Sequence, residues 1–205
     1  MFLVIRSLPA GPLDRPVLIH GENGVGKGKA AELIHGLTVG ENAPFITINA
    51  SAMSDVLMES ELFGHCKGAF CGAEHDKTGK IAMADGGSLF LKEIGYLSLS
   101  MQERLLRFLE EKTYSPVGGN QKNHSNFQLI SSTSSNLPDN VEKKRFKVEL
   151  FDRIRRNTRS IPPLRKRTRN IHMLIRFFLS QPSRRVYPET FPVTSEIMST
   201  DFHGT

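Results

Sequence analysis

Residues 16–28 read Pro16-Val17-Leu18-Ile19-His20-Gly21-Glu22-Asn23-Gly24-Val25-Gly26-Lys27-Gly28. A short β-rich run stops at Gly21, and a glycine-rich turn ends on a lysine. Apolar residues then recur at helical spacing from Lys27 to Leu37, at Ala30, Leu33, Ile34 and Leu37. The pattern is strand, G-x-x-x-x-G-K, helix. Its glycines let successive N–H groups turn toward one anion, and the helix N-terminus adds its positive dipole end. Lys27 then reaches the outer phosphates of a nucleotide. Gly21, Glu22, Asn23, Gly24, Val25, Gly26, Lys27 and Gly28 are therefore the candidate nucleotide-binding residues. The usual Ser or Thr after the lysine, a magnesium ligand, is Gly28 here.

Outward from this loop, strand-like runs alternate with helical ones. Phe45–Asn49, Ser88–Leu91 and Phe127–Ile130 read as strands. Asp55–Phe63, Ser100–Glu111 (Ser100 as N-cap), Val141–Ile154 and Ile171–Leu179 read as helices. Gly64–Lys77 is glycine-rich and irregular. The alternation predicts an α/β fold with a parallel sheet covered by helices. From Pro182 the chain is rich in Pro, Ser and Thr and reads as a poorly ordered end.

Composition narrows the class. The chain has 205 residues, 39% hydrophobic and 23% charged, which fits a globular domain. No apolar run reaches the roughly 18 residues of a membrane span, and the N-terminus is a poor signal peptide. Two cysteines, Cys66 and Cys71, imply free thiols in a reducing cytoplasm rather than a disulfide framework. A membrane protein, a secreted knot and a fibre are excluded. The net charge of +6 comes from residues 141–170, where 12 basic residues face 3 acidic ones. That block fits nucleic acid, bound phosphates or a solvated face, and it lacks interleaved aromatics for base stacking.

Six motifs in order carry a resemblance. They are Gly21–Lys27, Glu61-Leu62-Phe63-Gly64-His65, Gly68-Ala69-Phe70-Cys71-Gly72-Ala73, Gly86-Gly87-Ser88-Leu89-Phe90-Leu91, Glu93-Ile94-Gly95 and Pro162-Pro163-Leu164-Arg165. Over about residues 16–180 the chain resembles the AAA+ domain of sigma-54-dependent transcriptional activators. The resemblance implies a P-loop NTPase core over residues 1–165 and a helical lid, incomplete here, with a tail over 166–205. It implies ATP as ligand, a homo-oligomeric ring, and the sigma-54 RNA polymerase holoenzyme as partner. It implies that Glu93 orients or deprotonates the attacking water, that Asn49 holds Glu93 in its inactive pose, and that Arg153 reaches a neighbouring subunit's γ-phosphate. Taken alone, Asn49 reads as a strand-end amide and Arg153 as a surface arginine. Residues 68–73 match the loop that touches sigma-54, with Phe70 expected at an exposed tip.

The chain departs from that family at its chemistry. Lys92 stands where the family has a magnesium-holding aspartate. At about 4 Å and an effective dielectric near 20, a unit charge pair is worth roughly 4 kcal/mol, so a divalent ion facing Lys92 loses up to roughly 8 kcal/mol. Magnesium is therefore doubtful and hydrolysis is expected to be impaired. Alternatively, the Lys92 ammonium replaces part of the metal's charge and favours binding over cleavage. Cys71 replaces a threonine, Ser134 an asparagine reaching toward the γ-phosphate, and Lys147 an arginine. Residues 155–160, Arg-Arg-Asn-Thr-Arg-Ser, cannot form a buried strand and read as a loop or an edge. His65, Cys66 and Cys71 lack metal-site spacing, so no metal ligands are assigned. No DNA-binding helix-turn-helix is expected within these 205 residues. Three readings remain: an ATP-binding regulator domain with weak or no hydrolysis, a non-enzymatic copy that binds nucleotide or an intact activator, and the inactive product of a decayed gene.

Overall fold

The structure is a computed structural model that describes residues 15–168 and 171. The chain divides into two units, Met1–Lys166 and Arg167–Thr205. The strands and helices of the core lie in the first. The helix expected over Ile171–Leu179 and the tail after Pro182 fall outside the described residues, apart from Ile171.

In chain order the strands are β1 (Val17–His20), β2 (Phe45–Asn49), β3 (Gly64–His65), β4 (Lys77–Thr78), β5 (Ser88–Lys92), β6 (Thr113–Tyr114), β7 (Asn123–His124), β8 (Gln128–Thr133) and β9 (Thr158–Ser160). The helices are α1 (Lys27–Thr38), α2 (Asp55–Phe63), α3 (Lys80–Met83), α4 (Leu99–Glu111), α5 (Leu137–Glu142) and α6 (Val148–Ile154). Five strands form one parallel sheet in the order β2-β5-β8-β1-β9. Two short antiparallel pairs, β3–β4 and β6–β7, stand apart from it.

Alternate residues of the central strands enter two cores, because successive side chains leave a strand on opposite faces. Val17, Ile19, Phe90 and Ile130 pack with Ala30, Ala31 and Ile34 of α1. Leu18, Leu89, Leu91 and Leu129 pack with Met58 and Leu62 of α2, Leu105 and Phe108 of α4, and Leu150 and Ile154 of α6. The result is a three-layer α/β/α core, as the alternating runs predict.

Three boundaries differ from the sequence reading, each for a local reason. Helix α4 starts one residue earlier, and its N-cap is Ser98, whose Oγ accepts from the Met101 N–H at 3.4 Å; Ser100 lies within the first turn. The helix expected over 141–154 is two helices. Lys144 takes φ +54°, and the Phe146 and Arg145 N–H groups bond back to the Asn140 carbonyl, so the first helix ends and α6 begins after Lys147. Strand β8 runs three residues beyond Ile130 into Ser131-Ser132-Thr133, all buried. Their polarity hides them from an apolar pattern. Inside the sheet the Ser131 hydroxyl donates to the Val17 carbonyl at 3.2 Å, which makes its burial tolerable.

The segment Arg155–Ser160 resolves the loop-or-edge alternative. Arg155–Asn157 is a 3-10 turn, and Thr158–Ser160 is an edge strand beside β1. Only one side of an edge strand is paired, and the strand's one arginine, Arg159, is partly exposed and donates from Nη1 to the Thr158 carbonyl at 3.3 Å.

Candidate nucleotide site

Register aligns His20 with Thr133, and Asn49 with Lys92. The C-terminal ends of the parallel strands therefore share one edge, where α/β sheets bind ligands. The loop after β1 crosses that edge. Gly24 and Gly26 take φ +80° and +98°, a region that side chains resist. Gly21 is constrained differently: a Cβ there would lie 2.8 Å from the Ile161 carbonyl oxygen. Its N–H donates to the Thr133 carbonyl at 3.2 Å, tying the loop to β8. Val25 is buried against Ile161 in the α1-side core.

Lys27 opens α1, and its ammonium is nearly buried. Nζ donates to the Gly21 carbonyl at 2.8 Å, the Glu22 carbonyl at 3.3 Å and Asn23 Oδ1 at 3.5 Å. It also pairs with Glu93 Oε1 at 3.0 Å. The lysine curls over its own loop and grips a carboxylate from the end of β5. Glu22 faces outward and forms a two-pronged pair with Arg165, at 2.8 and 2.6 Å. That pair holds the Glu22 carboxyl below its usual range.

Glu93 has a strained backbone, φ +55° and ψ +51°, a left-handed conformation uncommon for a side chain with a Cβ. Its Oε2 accepts from the Ser134 N–H at 2.9 Å and the Ser134 hydroxyl at 2.8 Å. Burial, the strongest single influence, pushes its carboxyl up. The Ser134 N–H, the Lys27 ammonium and the Ser134 hydroxyl together pull harder, and the carboxyl sits below its ordinary value. Ser134 is thus a carboxylate clamp, a role its polarity alone does not announce. Its one signal is position, in the turn after a strand adjacent to β5.

Asn49 is elsewhere engaged. Its Oδ1 accepts from the N–H and hydroxyl of Ser51, at 3.2 and 3.0 Å, and caps the short turn Ala50–Ala52. The structure does not bring Asn49 onto Glu93; Ser134 and Lys27 hold that carboxylate instead. Arg153 donates from Nη2 to the Leu109 carbonyl at 3.2 Å, an acceptor in the last turn of α4, which suits an arginine. Within this chain Arg153 bonds α4 rather than the phosphate loop.

Lys92 is exposed, and its Nζ lies 5.6 Å from the Phe90 ring centroid. The residues present do not fit a divalent ion. Gly28 has no side chain to offer, Lys92 repels cations, and both Glu93 oxygens are engaged. Among the described residues, no group of three or more His, Cys, Asp or Glu could hold a metal.

The loop 68–73 projects beyond the β3–β4 pair. The Gly68 N–H donates to the Ala73 carbonyl at 2.8 Å, and the Ala73 N–H to the Phe70 carbonyl at 3.0 Å. Phe70 is not at an exposed tip. It is half-buried, its ring 4.9 Å from that of His65 in an edge arrangement; His65 Nδ1 shares a 2.7 Å hydrogen bond with the Ser60 hydroxyl. Cys71 is exposed and Cys66 partly so, both as free thiols. The segment between β6 and β7, to which the sequence pattern assigns no role, supports this loop. The Cys66 N–H donates to the Val117 carbonyl and the Val117 N–H to the Gly64 carbonyl, both at 2.9 Å. Pro116-Val117-Gly118-Gly119 carries a turn signal but nothing to say what it packs on.

At least four of the block's twelve basic residues form ion pairs within the chain. Lys143 pairs with Asp139, Lys147 with Glu103, Arg155 with Asp152 and Arg165 with Glu22. For those four residues the solvated-face reading holds.

Comparison with known proteins decides the family. Residues 6–158 match the sigma-54 interaction domain. The chain belongs to the sigma-54 interaction domain family. This domain is 42% identical over 192 residues to the transcriptional regulator VasH of Vibrio cholerae, covering 92% of this chain and 36% of that protein. It is 40% identical over 185 residues to the Psp operon transcriptional activator of Escherichia coli, covering 90% and 57%. Among solved structures it resembles NtrX from Brucella abortus in complex with ATP, with 32% identity, a TM-score of 0.74, and coverage of 86% of this chain and 39% of that one. NtrX in complex with ADP gives 31% identity, a TM-score of 0.77, and coverage of 88% and 38%. The chain thus spans between 36% and 57% of the length of these relatives. No helix among the described residues is long and apolar enough to cross a membrane.

Proposed function

We propose that this sigma-54 interaction domain binds ATP at Gly21–Gly28 and presents residues 68–73 to the sigma-54 RNA polymerase holoenzyme as part of a bacterial transcriptional regulator. The carrying observation is the Lys27–Glu93–Ser134 constellation at the strand ends. A phosphate entering the loop meets backbone N–H groups, the start of α1 and the Lys27 ammonium. It competes with Glu93 for that ammonium. Glu93, once released, faces the outer phosphate and is the base available to orient water. The resemblance of residues 68–73 to the sigma-54 contact loop supports the partner, and the family's ring architecture supports self-association through which Arg153 reaches a neighbour.

Hydrolysis is weak in this reading, because Gly28 offers no ligand, Lys92 repels a divalent ion and both Glu93 oxygens are engaged. Lys92 thereby favours a second reading, a binding-competent but non-hydrolysing copy that modulates an intact activator. One experiment tests both: ATP turnover together with capture of purified sigma-54, using the wild type and Phe70→Ala. The first reading predicts ATP-dependent capture lost in Phe70→Ala. Capture of an intact activator without sigma-54 supports the second. Capture of neither, with ATP bound, contradicts both.

A further inference from the structure

Strand alternation puts Lys92 on the same face as Phe90, the face covered by α1. Phe90 is buried in that core, and the Lys92 Nζ leans over its ring at 5.6 Å. The first turn of α1 also comes close to this ring. A Cβ on Gly28 would lie 4.0 Å from Phe90 Cε1 and meet nothing nearer. The missing side chain leaves open space beside Phe90, in the turn that begins with Lys27. Lys92 also directly precedes Glu93, which is paired with Lys27. The long Lys92 stem can swing from Phe90 toward Lys27 and Glu93, and the residue after Lys27 is a glycine with no side chain to offer a divalent cation.

We propose that the site takes a nucleoside triphosphate free of divalent cation, with the Lys27 and Lys92 ammonium groups supplying the positive charge that a magnesium ion would otherwise bring. This rests on the nucleotide reading above. Lys27 is the inner, enclosed cation, held by the loop carbonyls. Lys92 is the outer one, on a long flexible stem that swings to meet the ligand. Divalent cation then competes with Lys92 for the phosphates and weakens binding instead of strengthening it. Cleavage is not accelerated, since neither ammonium activates water.

Calorimetric titration of the full chain with ATP, in EDTA and in excess magnesium chloride, tests this. The wild type should bind in EDTA and lose roughly tenfold in affinity with magnesium. Lys92→Met should lose roughly tenfold in EDTA, and Lys92→Asp should bind only with magnesium. Thermal melts of both variants confirm folding; the site is solvent-facing at Lys92, so the melts should match the wild type. Wild-type binding that requires magnesium overturns the inference and leaves the nucleotide reading standing. Equal wild-type and Lys92→Met affinity in EDTA overturns it likewise. No wild-type binding in either buffer overturns both.

Discussion

The Lys27 ammonium lies 3.0 Å from Glu93 Oε1, so the cation meant for phosphate already holds a carboxylate from the end of β5, two strands from β1 in the sheet. A nucleotide must displace that carboxylate and also bring its own negative charge past it. Glu93→Gln removes the competing charge while keeping an oxygen for the Ser134 donors. ATP affinity should rise about three- to tenfold, the equivalent of roughly 1 kcal/mol, within the range for a charge-assisted hydrogen bond. Calorimetric titration reads it; an unchanged affinity would show that the pair does not guard the site.

The same pair sets an acid response. The Glu93 carboxyl is held below its ordinary value of 4.5. Glu61 is lowered too, chiefly by its hydrogen bond to Lys77, against burial, with the Lys77 and Lys80 charges adding. A lowered folded value means that the unfolded chain takes up the proton more readily. This stability is fully present above about pH 4.5 and is lost as pH falls through the lowered folded values. Melting temperatures taken downward from neutral pH should hold steady and then drop below about pH 4.5, less steeply in Glu93→Gln. A drop confined to the region above about pH 6 would point to histidine instead.

Gly64 joins α2 to the loop-bearing strand pair at φ +79°, and a Cβ there would collide with the Lys77 carbonyl and the Gly79 N–H. Both the backbone conformation and the space forbid a side chain. Gly64→Ala should cost about 3 kcal/mol, combining a disfavoured backbone region with overpacking. Denaturant melts measure it; a loss under about 0.5 kcal/mol, typical of surface changes, would contradict the packing described.

Phe70 rests on His65, and the chain contains no tryptophan. Phe70→Trp therefore places a single reporter at the contact loop. Its emission should be blue-shifted relative to free tryptophan and should move red when His65→Ala is added. Identical spectra would mean that the ring is not held by His65.

Much of the fold was legible because apolar runs mark buried parallel strands and the turn Gly21–Lys27 is set by backbone geometry. The legible part stopped where hydroxyls are buried, as in Ser131-Ser132-Thr133, whose pairing depends on a neighbouring strand that no local pattern displays. Within the candidate site, the loop Gly21–Lys27 and Glu93 stand out in the sequence, and the structure joins them through the Lys27–Glu93 pair. It was not legible at Ser134, whose two hydrogen bonds to Glu93 come from 41 residues away, nor at Asn49, whose side chain finds Ser51 two residues on. The support that residues 116–119 give to the loop 68–73 is likewise a long-range contact.

In the function proposed above, Lys27 anchors the nucleotide in this loop. The most direct measurement is ATP binding by calorimetry to the wild type and to Lys27→Ala, each verified as folded by its thermal melt. The wild type should show saturable one-site binding, and the variant should lose at least about a hundredfold, roughly 2.7 kcal/mol. Equal affinity for both would contradict it.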